Sequence, residues 1–154
     1  MSKRLAICIQ DKEAGGFRMI YIKQEEYEKI IKQAKKEFPY ECCGFLGGNK
    51  VGEDIFIKII VPLTNIDQSS EHFSMDPKQQ FQALKLIRNN GFKLVGNYHS
   101  HPYTPSRPSE EDKRLAFDPS ILYGILSLEE ELVFNLFKID NEKKVEKLEY
   151  VIEG

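Results

Sequence analysis

Residues 96–112 read Gly96-Asn97-Tyr98-His99-Ser100-His101-Pro102-Tyr103-Thr104-Pro105-Ser106-Arg107-Pro108-Ser109-Glu110-Glu111-Asp112. The stretch leading to His99, residues 92–99, is apolar enough for a buried strand. On a strand, residues i and i+2 face the same side, so His99 and His101 present two imidazoles together. Imidazole is a good zinc ligand, and a catalytic zinc takes three protein ligands and keeps one open position. Ten residues separate His101 from Asp112. The proline-rich loop 102–108 can return its carboxylate to the pair. The same residues also fit a plain helix start, with Ser109 as N-cap and Asp112 three residues on. The two readings are compatible.

Other histidine-pair metal patterns fit poorly. A jelly-roll dioxygenase needs Glu about four residues after the second His, where Thr104-Pro105 stand. A His-x-His-x-Asp-His hydrolase fails at Tyr103 and Thr104. The helical His-Glu-x-x-His motif is absent. A general base is still required. Pro39-Tyr40-Glu41-Cys42-Cys43-Gly44-Phe45-Leu46-Gly47-Gly48 offers one, since Glu41 opens an apolar, Gly-rich strand where a carboxylate is out of pattern.

Outward from these segments the chain alternates unevenly between strands and helices. Strands are expected at 5–10, 17–22, 43–47, 54–61, 121–127, 131–139 and 145–152, with turns at 11–16 and 140–142. A helix is expected at 24–38, with an apolar stripe of Tyr27, Ile30, Ile31, Ala34 and Phe38 closed by Pro39. A second opens at Asp76-Pro77, Asp as N-cap, carries Phe81, Ala83, Leu84 and Ile87, and ends at Asn89-Asn90-Gly91. A short third helix is expected at 109–117, and 65–74 is a polar loop. A mixed sheet covered by helices follows.

Composition excludes several classes. The 154 residues suit one domain, 1–154, and are too few for a TIM barrel. The net charge of −2 gives no field for nucleic acid or an anionic membrane. No apolar run nears the ~20 residues of a membrane helix. The N-terminal apolar stretch is too short for a secretory signal. Three cysteines, Cys8, Cys42 and Cys43, suit neither a disulfide framework nor a four-cysteine zinc site. A reducing, cytoplasmic setting is expected.

Taken together, His99-Ser100-His101-Pro102, the gap to Asp112, Ser109 three before it and the upstream Pro39-x-Glu41-x-Cys43-Gly44 resemble the JAMM metalloproteases, also called MPN+ domains. Phe73 before the Asp76-Pro77 helix start, and Val95-Gly96 before the histidines, are similar to the compact prokaryotic-type members. The resemblance covers about 17–127 and leaves 1–16 as a possible added strand. It implies a three-layer α/β/α fold similar to cytidine deaminases, with zinc at the sheet's edge. It implies that His99, His101 and Asp112 ligate one zinc, that Glu41 is the general base and that Ser109 steadies the oxyanion. Ser100, on the opposite face, would act only through its neighbours, and Cys42 and Cys43 would be packing residues.

The implied activity is hydrolysis of peptide or isopeptide bonds at the Gly-Gly tails of ubiquitin-like or sulfur-carrier proteins. The loop 65–73 and the edge strands are the expected walls of the substrate path. The insertions and extra zinc ligands of eukaryotic deubiquitinating members have no room here, and the spare histidine, His72, is expected to face solvent. A non-catalytic scaffold of the same fold is the alternative, although such relatives lose the histidines, the Asp or the Glu. A zinc deaminase would need His-x-Glu or Cys-x-Glu and Pro-Cys-x-x-Cys, and neither occurs.

Overall fold

The computed structural model describes residues 19–154. The expected strand at 5–10, the turn at 11–16 and Cys8 lie outside the described residues. In chain order the elements are β1 (Ile20–Lys23), α1 (Gln24–Glu37), β2 (Cys43–Val51), β3 (Asp54–Leu63), α2 (Pro77–Asn89), β4 (Lys93–His101), α3 (Glu110–Arg114), β5 (Leu122–Ser127), β6 (Val133–Ile139), β7 (Val145–Leu148) and β8 (Tyr150–Glu153). The strands form one mixed sheet in the order β7-β6-β5-β4-β2-β3-β1-β8. The pairs β4/β5, β1/β3 and β1/β8 are parallel, and the rest are antiparallel.

The expected strand at 145–152 is in fact two. β7 pairs with β6 at one edge, and β8 pairs with β1 at the other, with Glu149 alone between them. Strands separated by one residue can occupy opposite edges only if the sheet curls until those edges meet. Hydrophobic patterning reports which residues are buried, not which neighbour they pair with, so the break was hidden.

Helix α1 fills the concave side. Its Ile30 and Ala34 pack with Ile22, Leu46, Ile60, Tyr98 and Leu122. Tyr27 meets Phe134 edge-on at 5.9 Å, and Phe134 meets Tyr150 at 5.7 Å, so one aromatic cluster joins the helix to both ends of the curled sheet. Aromatic pairs in this geometry add ~0.5–1.5 kcal/mol beyond the area they bury. Helix α2 packs on the other face, where Ala83 and Ile87 join Cys43, Phe45, Val61 and Leu63. Helices thus cover both faces, as expected. Two residues of the expected stripes do not take part. Phe38 and Phe81 are exposed, because Phe38 caps α1 beyond its last turn and α2 turns only a narrow face inward.

The inward face of α1 carries polar residues that periodicity alone would have placed in solvent. Pairing of β1 with β3 stops at Ile57, and past that point the Ile60 N–H donates to the buried Glu26 carboxylate at 3.0 Å. Gln33 donates to the Cys43 carbonyl at 3.0 Å and accepts from the Tyr98 hydroxyl. Gly44, opposite Tyr98 in the β2/β4 register, leaves room for that ring, since a Cβ there would collide with it. A polar crosslink thus fastens α1, β2 and β4 directly behind the histidines.

Candidate metal centre

His99 and His101 close the C-terminal end of β4, a central strand and not an edge strand. Their face is the one α2 covers, while Tyr98 and Ser100 point to the α1 side. Ser100 is fully buried, and its hydroxyl accepts from the Cys42 N–H at 2.8 Å. Cys42 and Cys43 are buried free thiols, pushed up to about 12 by burial. That suits packing residues rather than reactive ones.

Ser109 and Asp112 form the capping box. The Ser109 hydroxyl accepts from the Asp112 N–H at 3.0 Å, and the Ser109 N–H donates to Asp112 Oδ2 at 2.9 Å. This box does not compete with the metal reading. It holds Asp112 Oδ2 3.1 Å from both His99 Nε2 and His101 Nε2, which stand 3.2 Å from each other. Tetrahedral donors ~2.0–2.1 Å from a zinc ion stand ~3.3 Å apart, so the three atoms already have the spacing of one coordination face.

The proton inventory agrees. His101 Nδ1 lies 2.8 Å from the Pro105 carbonyl, which can only accept. Nδ1 therefore carries the proton, and in the neutral ring Nε2 faces the Asp112 carboxylate with a bare lone pair. Two acceptors 3.1 Å apart need a proton or a cation between them. Without a metal the proton wins. Burial opposes a charged His101, yet the Asp112 and Pro105 hydrogen bonds raise its pKa. Burial also acts to raise Asp112, but its bonds to His101 and His99 hold it far below the carboxylate range. The donor set of two imidazoles and a carboxylate therefore fits a divalent cation.

Glu41 lies just before β2. Cys43 is paired with His99, and continuing that register by two residues brings Glu41 beside His101 on the same face. It is buried, and burial pushes its carboxyl up to about 8; His101 pulls the other way, and Asp112, Glu111 and Glu71 add to the rise. The sequence-derived residues Glu41, His99, His101, Ser109 and Asp112 are thus brought to one locus.

Two contacts of the site have no signal in the residue pattern. Phe73 stacks on the His99 ring at 4.6 Å, and Asn65 ties the 65–75 loop to the Glu41 carbonyl. A lone aromatic and an Asn in a polar loop carry no periodic signal. His72 faces solvent as expected, but its Nδ1 is bonded to Glu111 at 2.6 Å. A groove of about 420 Å³ opens beside His99 and Asp112, walled by Phe45, Phe73, Met75, Leu115, Phe117 and Ile125. The 65–75 loop contributes to this wall, whereas the edge strands β7 and β8 do not.

The family described as prokaryotic homologs of the JAB domain matches residues 23–139. The chain belongs to that family. A solved solution structure from Desulfitobacterium hafniense shares 46% identity and a TM-score of 0.80 with this JAB domain, covering 88% of this chain and 93% of that one. The CysO-cysteine peptidase of Mycobacterium tuberculosis is 28% identical over 113 residues, 73% of this chain and 76% of its own. The desampylase of Pyrococcus furiosus is 32% identical over 99 residues, 63% of this chain and 66% of its own. Among the described residues of the JAB domain, no helix is long and apolar enough to cross a membrane.

Proposed function

We propose that this chain is a zinc-dependent peptidase or isopeptidase. Its substrates would be the C-terminal Gly-Gly tails of ubiquitin-like or sulfur-carrier proteins, cut at the bond that follows the tail. The observation that carries the reading is the buried Glu41 carboxylate set beside His101, next to three convergent metal donors. A scaffold has no use for a carboxylate kept at such a cost. Relatives named as a CysO-cysteine peptidase and a desampylase support the substrate class.

His99, His101 and Asp112 would hold the ion. Bound there, zinc lowers the pKa of a water and polarises the scissile carbonyl. Glu41 takes the proton from the attacking water and returns it to the leaving amine, a role its raised pKa suits near neutrality. The Ser109 hydroxyl accepts from Asp112 N, which leaves its own proton free to donate to the developing oxyanion. The Pro105 carbonyl holds the His101 ring in the tautomer that presents Nε2. The apolar groove beside His99 receives the extended tail, and excluding water there strengthens each of these interactions.

The test is mass spectrometry of small ubiquitin-like proteins carrying residues or adducts beyond Gly-Gly, incubated with wild type and with Glu41→Gln. Loss of the extension by wild type alone is expected. Cleavage by neither protein, with zinc absent from freshly purified material, overturns the reading in favour of the scaffold.

A further inference from the structure

We propose that Asn65 is a positioning residue for Glu41, locking the main chain of the base and the 65–75 loop into one unit. The proposal rests on the reading of Glu41 as general base. Asn65 is buried, at 4% exposure, just after β3. Its Nδ2 donates to the Glu41 carbonyl at 3.0 Å and to the His72 carbonyl at 3.0 Å. Its Oδ1 accepts from Asp67 N at 3.0 Å and from Ser74 N at 3.2 Å. A side-chain amide has two donors and room for two acceptor bonds, and here all are used. The arrangement also fixes the amide's orientation, since reversing it would set N–H against N–H and oxygen against carbonyl.

The loop closes around this amide. Ile66 N donates to Ser74 O at 3.1 Å, and Asn65 and Met75 form an isolated antiparallel bridge. From inside the same loop the Ser69 carbonyl accepts from Glu41 N at 2.8 Å. Both main-chain polar groups of Glu41 therefore end on the loop, one through Asn65 and one through Ser69. The sheet does not hold Glu41, because β2 begins only at Cys43. On its far side the next residue, Cys42, is clamped by the Ser100 hydroxyl.

Glu41 needs such a hold. Its carboxylate is buried against its own preference for water, and a base left on a loose main chain would turn outward. The same loop places Phe73 on the His99 ring. The unit therefore sets base and metal donors in one frame, and Asn65 is its central joint. Misplacing a catalytic group by ~1 Å can cost ~10²-fold in rate.

The test uses the full-length protein. Asn65→Asp keeps the acceptors for Asp67 and Ser74 but loses both donors. It should bind one zinc per chain with wild-type affinity by calorimetry, while kcat for a Gly-Gly-extended substrate falls ~10²-fold and KM, to which the loop's groove wall contributes, changes far less. In hydrogen exchange, the Glu41 amide should lose protection in this variant. In wild type it should exchange in step with Ile66, Asp67 and Ser74. A folded, zinc-loaded Asn65→Asp with wild-type kcat overturns the proposal. If the variant does not fold, the wild-type measurement decides: a Glu41 amide that exchanges with the β2 and β4 core, independently of the loop, overturns it. Wild-type turnover by Glu41→Gln would instead remove the base assignment, and the exchange data would still report whether Asn65 holds that segment.

Discussion

Two carboxylates meet at the histidine pair, Asp112 within the three-donor cluster and Glu41 beside it, and they are held in opposite ways. Asp112 sits in the first turn of α3, where its Oδ2 accepts from the Ser109 N–H and lies 3.1 Å from each imidazole. Glu41 sits before β2, and no described residue donates a hydrogen bond to its carboxylate. Glu41 is buried and Asp112 is partly buried, so loss of water acts to raise both pKa values in the first instance. For Asp112 the bonds to His101 and His99 overrule burial and hold the group ionised. For Glu41 nothing of that strength intervenes, and the group stands at about 8. Under the proposed function this separation divides their labour: Asp112 would remain a ligand at every working pH, and Glu41 would hold and release a proton.

The largest effects should come from removing either member. Asp112→Ala should lose stoichiometric zinc in equilibrium dialysis, and with it all turnover above background. Glu41→Gln should keep one zinc per chain while kcat falls ~10²–10⁴-fold. Equal zinc affinity in the two variants would show that the carboxylates are not divided as described.

A smaller effect sharpens the comparison at Ser109, whose N–H donates to Asp112 and whose hydroxyl is the proposed oxyanion donor. Ser109→Ala should lose ~10²-fold in kcat with the loss of an oxyanion donor. Loss of the N-cap should lower stability by ~1 kcal/mol. Zinc should remain bound, because the Ser109 N–H that supports Asp112 is untouched. A lower melting temperature with unchanged kcat would reduce Ser109 to a capping residue.

The convergence of the three donors was legible in the sequence because two short-range rules fix it. The two-residue period of a strand puts His99 and His101 on one face, and the capping-box spacing puts Asp112 beside Ser109. Glu41 stood out as a carboxylate at the start of an apolar strand. The hold on Glu41 was not legible. It depends on Asn65, 24 residues away in sequence, whose amide looks in the linear chain like any polar loop residue. Long-range closure escaped for the same reason. Residues 145–152 have the pattern of one strand, and only three-dimensional pairing sends β7 and β8 to different edges. The buried Glu26 and Gln33 invert the usual reading of a polar helix position, because each satisfies a main-chain group of the sheet.

The finest test sets the two carboxylates against each other as stability elements in metal-free protein. The folded-state pKa of Glu41, about 8, lies above its ordinary value of 4.5. Its contribution is therefore fully present below pH ~4.5 and is lost as pH rises through about 8. Asp112 is shifted down, so its contribution is present above ~4 and is lost as pH falls below that. In urea unfolding of chelator-treated protein at pH 8, Glu41→Gln should be more stable than wild type by ~2 kcal/mol. That is less than the full shift would carry, because the site borders an open groove. At pH 4 the gain should disappear. Asp112→Asn should move the other way at neutral pH, losing ~1–3 kcal/mol as its donors go unanswered. Shifts of the same sign would mean that the two environments do not differ as described. Opposite signs would mean that the fold gives up stability at Glu41 in the absence of metal, the cost expected of a carboxylate kept for the proposed base role.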